Sequence, residues 1–157
     1  MTDSSTYDHN RQIADHLGST LPIQTIAHLT HAGRPVSRLE HDTAFDAFVK
    51  KLQEDSHLTV GYIRGAETIP QPHSHVAIIA AREIPSSTVE ASWKAVTGVA
   101  GGIATQYDSG LGDGVGYILK CGDYSFSRNI HLFSSSTTAE SLSGRELRTF
   151  TRIQEQR

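Results

Sequence analysis

Alternating hydrophobic and polar positions predict a set of short β-strands along this chain. In residues 21–31 every second side chain shares one face: Ile23, Thr25, Ala27 and Leu29. This period of two is typical of a strand. Alternation or short apolar runs predict four further strands, at residues 58–66, 73–81, 103–107 and 124–133. The second and third strands are joined by a short loop, which favours an antiparallel hairpin.

Helical spacing and end signals predict three helices between these strands. Ser37, with Glu40 three residues later, matches a capping box, and an apolar stripe follows to about residue 55. A second helix begins after Pro85 and ends at Gly98, and a third, short one covers residues 115–121. The order β-α-β-β-α-β-α-β predicts an α+β fold with a mostly antiparallel sheet. We expect a loose N-terminal arm at 1–20, one domain at 21–134, and a polar C-terminal loop and helix at 135–157.

Composition excludes several classes of protein. The chain has 157 residues, 37% of them hydrophobic, which is enough for one core. No apolar run approaches the roughly 18 residues of a membrane span, and the polar first twenty residues do not resemble a secretory signal. The single Cys121 cannot form an internal disulfide, which fits a reducing compartment. The net charge of -3 argues against binding nucleic acid through bulk positive charge.

The chain is rich in histidine, and the pair His73 and His75 is its sharpest local signal. Of nine histidines, these two lie at i and i+2 on a predicted strand, so both imidazoles project from one face. Glu67 ends the preceding strand and could lie across the hairpin from them. Two imidazoles and a carboxylate suit Mn²⁺ or Zn²⁺ well and Mg²⁺ tolerably, and they leave coordination positions open.

Tyr117 and Lys120 supply a second chemical signal. At i and i+3 on the short third helix, the phenol and the ammonium share a face. A phenol with its usual pKa of about 10 is a poor nucleophile, but a neighbouring cation stabilises the phenolate. Together with the histidine pair, this arrangement predicts attack by Tyr117 on a metal-held phosphodiester. We expect His73, His75 and Tyr117 to converge on one cation.

Over residues 21–133 the order of these motifs resembles the HUH endonucleases. The match is closest to the rolling-circle replication initiators of small plasmids and circular single-stranded DNA viruses. The resembling features are a strand with Leu29-Thr30, the histidine pair, and a helix with Tyr117 and Lys120 followed by Gly-Asp. The resemblance implies a five-stranded antiparallel sheet with flanking helices. It also implies Mn²⁺ or Mg²⁺ on Glu67, His73 and His75. The family usually has a bulky apolar residue where this chain has Ser74.

The resemblance further implies a reaction and its partners. Tyr117 would cut single-stranded DNA at an origin or hairpin, leaving a 5′-phosphotyrosine link and a free 3′-hydroxyl, with Lys120 assisting. DNA contacts would come from the first strand, the turn after it and the second strand: His28, Thr30, His31, Arg34 and Arg64. A replicative helicase is a possible partner, since no P-loop pattern is present here. We expect a monomer, in the cytoplasm for a plasmid protein or in the host nucleus for a viral one.

Three other readings remain open at the sequence level. A single-tyrosine transposase of the same superfamily would act on hairpin DNA ends as an obligate dimer. A non-catalytic single-strand binder with an RRM-like sheet would need aromatic residues on its central strands, which the third strand lacks. An iron-dependent oxygenase would use two histidines and a carboxylate, but it gives Tyr117 and Lys120 no role.

Overall fold

The computed structural model describes residues 12–13, 15–108, 114–120 and 123–133, which form a five-stranded antiparallel sheet with flanking helices. The elements are β1 (Ile23–Leu29), α1 (Arg38–Ser56), β2 (Gly61–Glu67), β3 (His73–Ile79), α2 (Ser86–Thr97), β4 (Gly102–Gln106), α3 (Gly114–Lys120), β5 (Asp123–Phe126) and a final 3₁₀ turn (Ile130–Phe133). The strand order is β4-β1-β3-β2-β5, and every pairing is antiparallel. The predicted α+β class is confirmed.

Local signals set the ends of α1 and α2. The Ser37 hydroxyl accepts a hydrogen bond from the Glu40 backbone at 3.0 Å, and the Glu40 carboxylate accepts one from the Ser37 backbone at 3.2 Å. This is the predicted capping box, which satisfies two otherwise unpaired donors. Helix α2 ends at Gly98, whose φ of 77° is a left-handed conformation that glycine adopts without strain.

Helices α1 and α2 cover one face of the sheet, called here the helical face. Phe45, Phe48 and Trp93 are buried against strand residues such as Leu29 and Val76. These side chains form the larger of two apolar clusters. Strands β1 and β3 both contribute residues to this cluster, so the core holds the backbone of each from one side.

Helix α3 covers only part of the other face, called here the site face. Val115, Ile118 and Leu119 pack with Ile63 and Ile79 in a second cluster. The other end of the site face is formed by the start of β3, with His73. The histidine side chains at this end of the face are only partly buried.

Two predicted strands differ from the structure. The pairing of β1 with β3 is irregular between Ile23 and Thr25, so Ile23 joins the second cluster rather than sharing a face with Ala27. A β-bulge of this kind turns one residue to the other face. The predicted fifth strand ends at Phe126 rather than residue 133, because the chain turns after it and the Ile130 amide bonds to the Ser127 carbonyl.

The predicted N-terminal arm is described only in part, and the predicted C-terminal segment is not described. Of the expected N-terminal arm, residues 12–13 and 15–20 are described and helical, and Leu17 is buried in the second cluster. The predicted C-terminal loop and helix lie outside the described residues. No described helix has the length and hydrophobicity needed to cross a bilayer.

Candidate metal centre

Three histidines from two neighbouring strands meet on the site face. His28 of β1 is directly opposite His75 in the antiparallel pairing, and His73 lies two residues before His75 on the same face of β3. One ring nitrogen from each of the three lies within 4.8 Å of the others. This cluster, called here the histidine triad, could hold a metal ion.

The three rings are packed against one another in two ways. His28 and His75 are stacked, with ring centroids 4.4 Å apart and planes 8° from parallel. His73 stands edge-on to both, with centroids 5.4 Å from His28 and 5.5 Å from His75. The pairings of β3 with β1 and with β2 fix the backbone of all three residues, so folding of the sheet brings these nitrogens together.

Burial keeps two of the three imidazoles, those of His28 and His75, in the form that binds metals. Burial, and then the neighbouring rings, lower the pKa of His75 to about 4, and burial followed by the charge of His73 lowers the pKa of His28. Both imidazoles are therefore neutral at pH 7 and have a lone pair available.

The hydrogen bonds of His73 also fit a cation site. Its Nδ1 lies 2.7 Å from the Gln71 carbonyl oxygen, which can only accept, so Nδ1 carries the proton. In the neutral ring, Nε2 then presents a lone pair, yet this atom lies 3.3 Å from a carboxylate oxygen of Glu67. The Nε2 lone pair and the Glu67 carboxylate oxygen would repel each other unless a cation lies between them or the ring is protonated. A backbone carbonyl that fixes the ring tautomer is the usual partner of a metal-bound histidine.

The predicted third ligand, Glu67, is not a member of the triad. Its position across the hairpin from the pair is confirmed, because Glu67 is the register partner of His73. Among the described residues, however, the third ligand atom within 4.8 Å comes from His28. The structure therefore adds His28 to the predicted histidine pair, and Glu67 lies beside His73.

Sequence reasoning assigned His28 to DNA contact and missed it as a candidate metal ligand. The alternating pattern already indicated that His28 lies on the sheet face opposite to Ala27 and Leu29. The register that sets it opposite His75 was not indicated, because a strand's pairing partner cannot be deduced from one sequence.

Tyr117 lies against the triad, as predicted. Its ring centroid is 4.8 Å from that of His75, with the planes at 78°. Tyr117 is 53% exposed, and Lys120, one turn later, is also exposed, whereas Ile118 and Leu119 between them are buried. The phenol and the ammonium therefore share the solvent side of α3, while the apolar pair anchors the helix to the sheet.

The predicted DNA contacts are placed in three different environments. Thr30 donates to the Gly101 carbonyl at 2.9 Å and is partly buried, and Arg34 donates to the Thr97 carbonyl at 3.1 Å from an exposed turn. His31 is 4% exposed and packs against Trp93, with ring centroids 5.4 Å apart. Arg64 points to the helical face, where its guanidinium lies 4.2 Å from the centre of the Phe45 ring.

A buried polar network lies directly behind the histidine pair, on the helical face. The Ser74 hydroxyl accepts a hydrogen bond from Arg64 Nε at 2.9 Å and lies 2.7 Å from His41 Nε2. His41 Nδ1 lies 2.8 Å from His31 Nε2. Burial, and then the charge of Arg64, lower the pKa of His41 to about 3. Ser74 is thus the hydrogen-bond partner of two buried side chains, Arg64 and His41.

The network continues through charged groups toward β5. Arg64 donates to Asp42 at 2.8 Å, and Arg38 donates to Asp42 at 2.9 Å and to Asp123 at 2.5 Å. Although burial acts against it, the hydrogen bonds from Arg38 and Arg64 hold the pKa of Asp42 below its usual value. A single carboxylate thus joins two guanidinium groups, and Asp123 ties the start of β5 to the first turn of α1.

No family model, no curated protein and no solved structure matches this chain.

Proposed function

We propose that this protein is a metal-dependent endonuclease that nicks single-stranded DNA through Tyr117, in the manner of the HUH endonucleases that its sequence resembles. Its biological role would be to initiate rolling-circle replication. The observation that supports this most is the contact between Tyr117 and His75 of the triad, whose ring centroids lie 4.8 Å apart.

The triad is proposed to bind Mn²⁺ or Mg²⁺. His28, His73 and His75 would supply nitrogen ligands, with the Glu67 carboxylate beside His73 Nε2 as an oxygen donor. When bound, such a cation polarises a phosphate oxygen and offsets charge that develops there. Imidazole ligands suit Mn²⁺ better than Mg²⁺, so the proposed ligand set favours Mn²⁺ of the two.

In the proposed reaction Tyr117 exchanges one phosphate ester for another. Its phenolic oxygen attacks the phosphorus and loses its proton to solvent, while the bond from phosphorus to the 3′ oxygen breaks and that oxygen takes up a proton. The products are a 5′-phosphotyrosine and a free 3′-hydroxyl. Lys120, on the same side of α3, would stabilise the phenolate. Because one P–O bond forms as one breaks, rejoining the strand needs no ATP.

The proposed path of the strand follows the open part of the site face. Arg34 lies on the exposed turn after β1 and offers a positive charge to the backbone. Arg64 is excluded from this path, since it is 9% exposed and bound to Ser74 and Asp42 behind the sheet.

The test is a covalent adduct. The protein is incubated with a pool of single-stranded oligonucleotides and Mn²⁺, and adducts are resolved on a denaturing gel. We expect an adduct with the wild-type protein, none with Tyr117→Phe, and an undiminished adduct with Tyr62→Phe, which changes a phenol on the helical face. His73→Ala should also abolish it. Absence of an adduct with every pool and metal would refute the nuclease, and binding without an adduct would indicate a non-catalytic single-strand binder.

A further inference from the structure

A groove of about 500 Å³ lies directly beside the histidine triad. It is lined on one side by the turn after β1, including His31, and on the other by residues 70–72 of the loop between β2 and β3. His28 and His73 line it as well, so a molecule in the groove would touch two of the three rings that form the candidate metal centre.

The lining of this groove favours an uncharged, flat ligand. The described residues that line it include no lysine, arginine, aspartate or glutamate. Pro70, Pro72 and the imidazoles offer flat apolar surfaces, and Gln71 adds an exposed amide. Such a surface suits a planar heteroaromatic ring, which stacks on side-chain rings, better than a phosphate, which needs positive charge.

His31, one of the residues that line this groove, has a buried ring whose polar atoms are only partly paired. Its ring is 4% exposed, and its Nε2 is engaged with His41 Nδ1 at 2.8 Å. Its Nδ1 is buried and has no hydrogen-bond partner within the described part of the chain. Buried imidazole nitrogens are nearly always paired, so an orphaned one beside a groove indicates a ligand with a polar edge.

We infer that this groove is a nucleobase pocket, in which one base of a single strand lies against Pro70, Pro72 and the ring of His31. That the ligand is a base of single-stranded DNA rests on the proposed function. If the strand crosses the triad with its scissile phosphate beside His28 and His73, a neighbouring nucleotide reaches the groove. The pocket would therefore select the base next to the nick and draw it out of its stack.

The first experiment tests the pocket without requiring any cleavage. The wild-type protein is titrated with each of the four deoxynucleosides, and with deoxyribose alone, while the imidazole NMR signals of His31 are followed. We expect at least one nucleoside to shift these signals to saturation with a Kd of about 1 mM or tighter. Deoxyribose should not shift them.

Two tryptophan variants in the same loop give a matched comparison. Gln71→Trp fills the groove and should weaken nucleoside binding at least tenfold. Thr68→Trp places the same ring on an exposed residue that does not line the groove, and it should bind like the wild type. Thr68→Trp should also keep the wild-type affinity for Mn²⁺, because it changes neither a triad residue nor Gln71, whose carbonyl holds His73.

The outcomes separate this pocket from the nuclease. Saturable His31 shifts that Gln71→Trp alone abolishes would support the pocket even if no covalent adduct is ever seen. Failure of every nucleoside to move the His31 signals, or an equal response in Gln71→Trp, would overturn the pocket even if Tyr117 forms an adduct. Where adducts form, an abasic nucleotide at one position next to the nick should slow the wild type about tenfold and leave Gln71→Trp unchanged.

Discussion

The imidazole of His28 lies in a parallel stack on that of His75, 4.4 Å away, although 47 residues separate them in the chain. The pairing of β1 with β3 produces this contact, because the two residues are direct register partners. Burial is the largest cause of the lowered pKa of each ring, and for His75 the neighbouring His28 adds to it. Because these imidazoles are neutral, each has a lone pair that could bind a metal ion, and the two do not form a cationic patch.

Removal of His28 should therefore weaken metal binding more than removal of the Glu67 charge. Because residues that only support a ligand are worth about 10–100-fold in metal affinity, loss of a direct ligand should cost at least that much. Glu67→Gln, which keeps the size of the side chain, should cost less. Calorimetric titration with Mn²⁺ measures both. His131→Ala, at an exposed histidine outside the triad, is the control and should bind like the wild type. Equal affinities for wild type and His28→Ala would contradict the ligand set.

The ligand set also predicts an order of metals. Three imidazole nitrogens favour Zn²⁺ over Mn²⁺, and Mn²⁺ over Mg²⁺, since Mg²⁺ prefers an all-oxygen octahedral shell. Thermal unfolding in the presence of each ion measures this, because an ion that binds only the folded state raises the unfolding temperature. We expect shifts in that order for the wild type and none for a His28→Ala/His75→Ala double variant. A Mg²⁺ shift that equals or exceeds the Zn²⁺ shift would mean that oxygen ligands dominate the site.

Local chemistry made the helices and the histidine pair predictable. The capping box of Ser37 and Glu40, the glycine at 98 and the i, i+2 spacing of His73 and His75 depend only on neighbouring residues, and each is found as expected. The third histidine of the triad was not predictable, because it depends on the register between two strands separated by a helix and a hairpin.

The same limit explains the other differences. Strand parity alone places Ser74 on the face opposite to the histidine pair, but it cannot say that residues 41 and 64 meet its hydroxyl there. Alternation also continues through residues 124–133, where a turn held by Asn129, which donates to the Val60 carbonyl at 3.1 Å, ends the strand early. Periodicity indicates which side chains could share one face of a strand. Where the strand ends depends on long-range hydrogen bonds, which periodicity does not contain.

Replacement of Ser74 should destabilise the fold through the groups it leaves behind. Ser74→Ala removes the acceptor of Arg64 Nε and the partner of His41 Nε2, both of them buried, at a cost of about 1–3 kcal/mol in the free energy of unfolding. Urea unfolding measures this. Ser125→Ala on β5 is the matched control, because its side chain is exposed, and it should change stability by less than about 0.5 kcal/mol. Equal urea midpoints for the two variants would show that the network contributes no stability.

His41 should make the fold less stable as the pH falls below about 6.5. Burial, with the nearby charge of Arg64, lowers its pKa to about 3 in the folded protein, whereas an imidazole in the unfolded chain titrates at about 6.5. Between these values the unfolded chain binds a proton that the folded protein excludes, so the free energy of unfolding decreases with falling pH. Above about 6.5 both states are neutral and the contribution is constant.

The slope from this one group is at most about 1.4 kcal/mol per pH unit. His31 and Arg38 also disfavour a charge on His41, and Asp42 opposes them. His31 adds to the dependence, since its own pKa is lowered by burial and by Arg34. Urea midpoints at about pH 7.5 and about pH 5 should therefore differ less in His41→Gln than in the wild type, but should still differ. His131→Gln, at an exposed histidine, should retain the wild-type difference. If all three proteins lost the same stability between the two values, protonation of His41 would not be what limits the fold in acid.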